Sequence, residues 1–123
     1  MSGKSSLRSN PSRTLRQEEL DLLRAILKGN DLGTSLSTNV RVRDLDDGGM
    51  GSIEFLSGER EGPRRAVCIA EADYMDSDGT PVSISVNVDQ HRGLFELDIW
   101  KVDFGRLRTY PNARTIRNIR HLG

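Results

Sequence analysis

The chain has 123 residues and a formal net charge of zero, because 18 Lys and Arg balance 18 Asp and Glu. This length fits one domain that buries about two-thirds of its unfolded surface, enough for a core without disulfides. A single cysteine, Cys68, excludes an internal disulfide and a metal site built on a cysteine pair, and no apolar run approaches the about 20 residues of a membrane helix.

The charges are segregated along the chain. Residues 1–16 and 104–123 carry nine basic side chains and no acid, whereas the segment between them has a net charge of −9. Such segregation favours a basic arm for nucleic acid, an acidic surface for a basic partner, or tails that lie on the protein's own acidic surface. The N-terminal segment is rich in Ser, Gly and Asn and lacks the apolar stretch of a secretory signal. We therefore expect a cytoplasmic protein that makes no membrane contact, with residues 1–13 as a disordered basic tail.

The first predicted element is a helix. Thr14 precedes the segment LRQEELDLLRAILKGN, in which Leu20, Leu23, Ile26 and Leu27 recur at helical spacing. The Thr14 hydroxyl or the acids that follow Leu15 are candidate caps, and the sequence KGN is typical of a helix end. The pattern predicts an amphipathic helix of about three turns whose apolar side needs a partner surface.

The period of apolar residues then changes from 3.6 to 2. Five alternating or apolar runs follow, namely TNVRVRDL, SIEFLS, RRAVCIAEADYM, VSISVNVD and LFELDIWKVD. The turn-forming segments DDGGMG, EREGP, DSDGTP and QHRG separate them. Short connections between successive strands favour an antiparallel arrangement. The sequence thus predicts an α+β domain at residues 14–111, with one N-terminal helix packed on an antiparallel five-stranded β-meander.

The last hairpin has a register that its own pattern specifies. Closing it over QHRG places apolar residues on one face and polar residues with one indole on the other. The apolar pairs are Val88 with Phe95, Val86 with Leu97 and Ile84 with Ile99; the polar pairs are Asn87 with Glu96, Ser85 with Asp98 and Ser83 with Trp100. We expect the helix to cover the apolar face and the polar face to remain open.

Candidate binding residues lie on that open face and in the glycine-rich turn. The face offers Glu96, Asp98, Trp100, Ser85 and Asn87. An exposed tryptophan among acids is a plausible anchor for a partner protein, with charges that steer its approach. An alternative is a solvated face whose acids pair with Arg41, Arg43 or Lys101.

The turn contributes Asp47 and Met50. Three glycines in positions 48–51 exceed what a tight turn needs, and we expect Met50 to be exposed there. A partner's backbone could approach closely at such a turn.

An enzymatic alternative relies on carboxylates. Glu96 and Asp98 lie about 7 Å apart on one strand face, and Asp103 follows them. Paired carboxylates at this distance can act as acid and base in a pocket, but nothing in the sequence builds that pocket. His91 lies in a turn and His121 in the tail, away from the face. We assign no catalytic residue.

The sequence predicts no metal site or cofactor. The segment DSDG resembles part of a calcium loop, but Tyr74 occupies the first ligand position and Ser85 the closing one. A turn built on Asp and Gly explains it.

The C-terminal segment, residues 112–123, is predicted to be a basic tail or a short helix. Pro111 interrupts the chain before it, and Ile116 and Ile119 could share one helix side. Nucleic-acid binding is an alternative function only through the two tails, because the acidic sheet would repel phosphate and only Tyr110 is interleaved with arginines.

Three segments, DDGGMGSIEF, DSDGTPVSISVNVD and GLFELDIWKVDFGRL, together resemble a family of small bacterial domains of unknown function. Its members share a leading helix, a glycine-rich hairpin and a closing strand that ends in a DIWKxDF phrase. The resemblance covers Leu15–Pro111 and implies no activity, cofactor or catalytic residue.

Compact acidic bacterial domains of this size are often immunity proteins or antitoxins, which is an analogy at the level of the class. The leading hypothesis is therefore a non-catalytic protein-binding module of the immunity, inhibitor or antitoxin type. Its expected partner is another protein with a basic surface, and a homodimer is the alternative.

Overall fold

A computed structural model describes residues 10–56 and 63–122 of the chain. Two short helices and seven strands make up this part. In chain order they are β1 (Ser12–Thr14), α1 (Gln17–Ile26), α2 (Asp31–Thr34), β2 (Arg41–Asp44), β3 (Ile53–Phe55), β4 (Val67–Met75), β5 (Pro81–Val88), β6 (Leu94–Lys101) and β7 (Arg117–His121). Within these residues, no helix has the length and apolar character needed to cross a membrane.

The strands form one antiparallel sheet in the order β1-β2-β3-β6-β5-β4-β7. The prediction of an α+β domain with an antiparallel sheet is confirmed, but the prediction of a five-stranded meander with one helix is wrong. Only β4, β5 and β6 follow one another as a meander, because β3 pairs with β6 rather than with β4. Residues 56–66, which connect β3 to β4, are long enough to cover the about 14 Å between strands three places apart.

Both additional strands lie at the edges of the sheet. β1 pairs with β2 through Ser12 opposite Arg43, so part of the segment expected to be a tail is a strand. The rest of that prediction, for residues 1–9, lies outside the described residues. β7 stands where the sequence predicted a tail or a short helix, and Arg120 donates to Glu71 and Asp73 of β4. The basic C-terminal segment therefore lies on the protein's own acidic strand.

Helix α1 covers the apolar face of the sheet, as the sequence predicted. Its buried side carries Leu20, Leu22, Leu23 and Ile26. Strands β2 to β6 each contribute one side to the same core, including Val42, Ile53, Phe55, Ala70, Ala72, Tyr74, Val82, Ile84, Val86, Leu97 and Ile99.

The start of α1 agrees with one of the two predicted caps. Arg16 is the N-cap residue and Glu19 accepts the Arg16 backbone N–H at 2.9 Å, whereas Thr14 belongs to β1. One of the acids after Leu15 thus caps the helix, and the Thr14 hydroxyl does not.

The predicted register of the β5–β6 hairpin is confirmed at five of its six pairs. The exception is Val88, which lies opposite Leu94 instead of Phe95 because the register shifts after Asn87. The shift turns Phe95 away from the core, and the guanidinium of Arg64 lies 4.2 Å from the centre of its ring. The face of the sheet that bears Ser83, Ser85 and Asn87, opposite the helices, is called the open face below.

Candidate functional site

Trp100 is the most prominent side chain of the open face. β6 places it opposite Ser83, and 46% of its surface is exposed. Phe104, which is 69% exposed, packs against it with ring centroids 5.9 Å apart and planes tilted by 55°. The chain returns to Trp100 through a turn closed by a Phe104 N–H bond to the Lys101 carbonyl.

The backbone of Phe104 is in the left-handed region, with φ of 62°. Bulky residues rarely adopt this conformation, which costs of order 1–3 kcal/mol. The turn is held by Asp103, whose carboxylate accepts the Gly105 N–H at 2.8 Å. The local structure thus holds a large aromatic ring in solvent at an energetic cost.

Further apolar side chains continue this surface toward the end of the sheet. Met75 lies opposite Pro81, and the Pro81 carbonyl accepts the Val102 N–H at 3.1 Å. Four of the seven large apolar side chains that are exposed in the described residues belong to this region. We call the set formed by Met75, Pro81, Trp100, Val102 and Phe104 the apolar patch.

A groove of about 360 Å³ runs along the apolar patch. Met75, Pro81 and Val102 line it, and Arg117 and Asn118 of β7 form its far side. The patch therefore offers both a raised aromatic pair and a recess, a combination typical of surfaces that bind other molecules.

The other predicted residues of the open face lie where the sequence put them. Asp98 is exposed, lies opposite Ser85, and accepts a hydrogen bond from the Ser52 hydroxyl at 3.1 Å. Glu96 lies opposite Asn87, whose amide donates to its carboxylate at 3.3 Å. These four residues and Trp100 share one face, so the structure brings the five together.

The glycine-rich turn is closed by a carboxylate of its own. The Asp47 carboxylate accepts the backbone N–H groups of Met50 and Ser52 at 3.0 and 2.9 Å, which closes the turn. Met50 is only 9% exposed. Its side chain packs against β6, where its sulfur accepts the Lys101 backbone N–H at 3.2 Å. The expectation of an exposed Met50 is therefore wrong.

The space beside Gly49 and Gly51 is taken by the chain itself, whereas the space beside Gly48 is open. The Gly49 carbonyl accepts the Leu107 N–H at 3.1 Å, and a Cβ at Gly49 would lie 3.3 Å from the Arg106 side chain. The close approach that the glycines permit is thus made by the segment after β6, at a position where φ of 88° also favours glycine.

A buried ion cluster ties this segment to the sheet, and sequence reasoning missed it. Lys101 is 1% exposed, and its ammonium donates to Asp76 at 2.8 Å, to Asp78 at 2.7 Å and to the Arg106 carbonyl at 3.0 Å. Asp76 also accepts the backbone N–H of Arg108 at 2.8 Å. Lys101 therefore does not pair with the acids of the open face.

A signal for this cluster exists in the pattern of β6. Leu97 and Ile99 point into the core, so period-two alternation places Lys101 there as well. A lysine at a core position requires a carboxylate partner, and the DSDG turn supplies two.

The pKa of Asp76 follows from these contacts. Burial opposes its ionisation, but the Lys101 ammonium and the backbone N–H groups of Ser77, Arg108 and Thr109 outweigh burial and lower its pKa to about 2. A carboxyl whose pKa is lower in the folded than in the unfolded chain stabilises the fold above the unfolded value, near 3.8, and loses that effect as pH falls toward the folded value.

We therefore expect the Asp76→Asn variant to differ from the wild type most at pH 5 and progressively less between pH 4 and 2. Urea unfolding at a series of pH values measures this difference. A difference in free energy of unfolding that stays constant from pH 5 to pH 2 would contradict the assignment.

The three carboxylates of the enzymatic alternative have separate contacts. The Glu96 carboxylate accepts a hydrogen bond from the Asn87 amide, and the Asp98 carboxylate accepts one from the Ser52 hydroxyl. The Asp103 carboxylate accepts the backbone N–H of Gly105 in its own turn. Within residues 10–56 and 63–122, no group of three or more His, Cys, Asp or Glu side chains is placed to hold a metal ion.

The family model for a domain of unknown function, DUF6984, matches residues 12–111. The chain belongs to the DUF6984 family. The expected membership in a family of unknown function is confirmed, and the match spans β1 to the segment that packs on the glycine-rich turn. No curated protein and no solved structure matches the chain.

In this DUF6984 domain, the segments that carried the resemblance meet around one place. The glycine-rich turn, the DSDG turn and the end of β6 all contact the segment 105–110 through Gly49, Asp76 and Lys101. These three segments thus hold in place the chain that directly follows the Phe104 turn.

Proposed function

We propose that this domain is a non-catalytic protein-binding module of the immunity, inhibitor or antitoxin type, and that it binds its partner through the open face around Trp100. The supporting observation is the aromatic pair of Trp100 and Phe104. Both rings are exposed, and Phe104 keeps a strained backbone in that position. Aromatic side chains that can be desolvated by a partner are frequent hot spots of protein interfaces.

The charges of the open face support a basic partner. Three of its four central strands, β3, β4 and β6, carry acids, and its bases come from β2 and from the edge strand β7. The acids are Glu54, Glu71, Asp73, Glu96 and Asp98, and the bases are Arg41, Arg43, Arg117 and Arg120. Arg120 already pairs with Glu71 and Asp73. An acidic centre steers a basic partner toward Trp100 and speeds its association at low salt.

The test is a comparison of variants with the partner recovered from the native cell. Wild-type protein is used for capture, and affinities are then measured by titration calorimetry. We expect the double variant Trp100→Ala, Asp98→Arg to bind at least about 30-fold more weakly, since a hot-spot truncation costs about 2 kcal/mol or more.

The matched control is Val67→Ala. Val67 is also an exposed apolar residue, at the opposite end of β4 from the apolar patch. It should bind like the wild type. If the double variant keeps wild-type affinity for every captured partner, the open face is not the binding surface.

A further inference from the structure

The geometry points to a specific occupant of the apolar patch: an extended segment of a partner protein that presents an arginine to Trp100 and Asp98 and, two residues away, an apolar side chain to the adjoining groove. This inference rests on the proposed protein-binding function and specifies its ligand. It follows from two neighbouring features of the open face, one aromatic and acidic, the other recessed and apolar.

Trp100 and Asp98 form the cation end of the site. They are alternate residues of β6, so their side chains share the open face about 7 Å apart. A cation over an indole face is attracted by the ring, and an arginine can stack there while its N–H groups reach a carboxylate. Phe104, tilted by 55° against Trp100, supplies a second aromatic wall.

Asp98 has acceptor capacity for such a bond. The Ser52 hydroxyl donates to its Oδ1 at 3.1 Å, and Oδ2 accepts no hydrogen bond from the described residues. Arginine suits this site better than lysine, because its planar, weakly hydrated guanidinium can stack on a ring and bind a carboxylate simultaneously.

The groove forms the apolar end of the site. Ser83 lies opposite Trp100, and Pro81 lies two residues earlier on the same face of β5. Ser83 and Pro81 both line the groove, which therefore begins beside Trp100. Pro81 is the diagonal neighbour of Trp100, roughly 7–8 Å away, which is close to the spacing of alternate residues in an extended chain.

The charges around the groove favour this orientation. Arg117 stands on its far side, on β7, three strands away from Asp98 on β6. The Asp73 carboxylate also lines the groove, but it is already paired with the Arg120 guanidinium at 3.2 Å. A cationic side chain is therefore attracted at the Trp100 end and repelled at the β7 end. The segment should place its arginine over Trp100 and its apolar side chain in the recess.

Three synthetic peptides test the inference against the full-length protein. The probe is acetyl-Gly-Leu-Gly-Arg-Gly-amide, the first control replaces arginine by citrulline, and the second replaces leucine by alanine. Citrulline keeps the planar shape and removes the charge. The first readout is the nitrogen–proton spectrum, in which the chain's only tryptophan gives a single indole signal. The second is the Met75 methyl signal in the carbon–proton spectrum.

We expect the probe to shift both signals in a saturable manner, with at least about fivefold weaker binding of the citrulline peptide and a loss of the Met75 shift with the alanine peptide. The Asp98→Asn variant should reduce the preference for arginine over citrulline. Equal affinity of the arginine and citrulline peptides, or no shift of the indole signal at millimolar peptide, would overturn the inference.

The outcomes also separate this inference from the proposed function. If the captured partner depends on Trp100 but the peptides do not discriminate, only the nature of the occupant is wrong. If neither the partner nor the peptides depend on Trp100, both proposals fail. An indole signal that moves on dilution of the protein alone would identify a second copy as the occupant and overturn the assignment to a foreign segment.

Discussion

The Asp76→Ala variant is expected to lose about 3–5 kcal/mol of free energy of unfolding, the usual cost of removing one partner of a buried ion pair. The substitution removes the acceptor of the Lys101 ammonium at 2.8 Å and of the Arg108 and Thr109 backbone N–H groups at 2.8 and 3.0 Å. The variant therefore loses the hydrogen bonds between the DSDG turn and the segment after β6. It also leaves the buried Lys101 ammonium with fewer acceptors.

Urea unfolding followed by circular dichroism at pH 7 measures this loss, and Asp78→Ala is the matched control. Asp78 also contacts the Lys101 ammonium, but its side chain is 26% exposed and accepts a backbone N–H only from Thr80. We expect the control to lose less. Equal losses in the two variants would show that burial of Asp76 is not what makes the cluster important.

A second variant separates the lysine from the backbone contacts. In a Lys101→Met background the Asp76→Ala substitution no longer strands an ammonium, so its cost should fall to that of the backbone N–H groups of Ser77, Arg108 and Thr109. A cost that is unchanged by the background would mean that Lys101 contributes nothing to the effect of Asp76.

The β5–β6 hairpin could be predicted from sequence because its alternation leaves one register. Shifting it by one residue would bury Asp98 and Ser85 and expose Leu97 and Val86, which is costly over eight residues. The only error, at Val88, lies next to the turn, where Asp89 accepts the His91 and Gly93 N–H groups and locally overrides alternation.

The edge strands could not be predicted in this way. β1 has three residues and β7 has five, and both are rich in arginine, so neither shows the alternation of a half-buried strand. Their positions depend on partners distant in the chain, such as Glu71 for Arg120. A basic segment with few apolar residues is compatible with a tail until those acids are located.

Only part of the candidate site could be predicted, because alternation specifies the strand residues but not the loops. Trp100 and Asp98 follow from the alternation of β6, whereas Phe104 returns to Trp100 through a turn that no periodicity specifies. The position of Met50 among glycines and aspartates predicts an exposed side chain, whereas its burial depends on the position of the Lys101 backbone. Alternation indicates faces within a strand but not contacts between loops.

The Glu19→Ala variant should show how strongly β1 is tied to the helix. Arg13 of β1 donates two bonds to Glu19, at 2.9 and 2.8 Å, and further bonds to Asp44 of β2, at 3.2 and 2.7 Å. Glu19, which is 1% exposed, also accepts the Arg16 N–H that begins α1. Its removal combines a broken ion pair with a lost helix cap, and we expect a loss of about 2–4 kcal/mol.

Amide hydrogen exchange and urea unfolding together distinguish the two contributions. Glu18→Ala is the control, because Glu18 is exposed in the same turn of α1, and it should stay close to the wild type. Glu19→Gln retains an oxygen for the Arg16 N–H and removes only the charge that holds Arg13. If the Arg13–Glu19 pair fixes the first strand, Glu19→Gln should speed exchange in β1 while α1 keeps its protection. If β1 exchanges equally fast in Glu19→Gln and the wild type, the position of β1 depends on its backbone pairing with β2 and not on the Arg13–Glu19 pair. Glu19 would then act only as a helix cap.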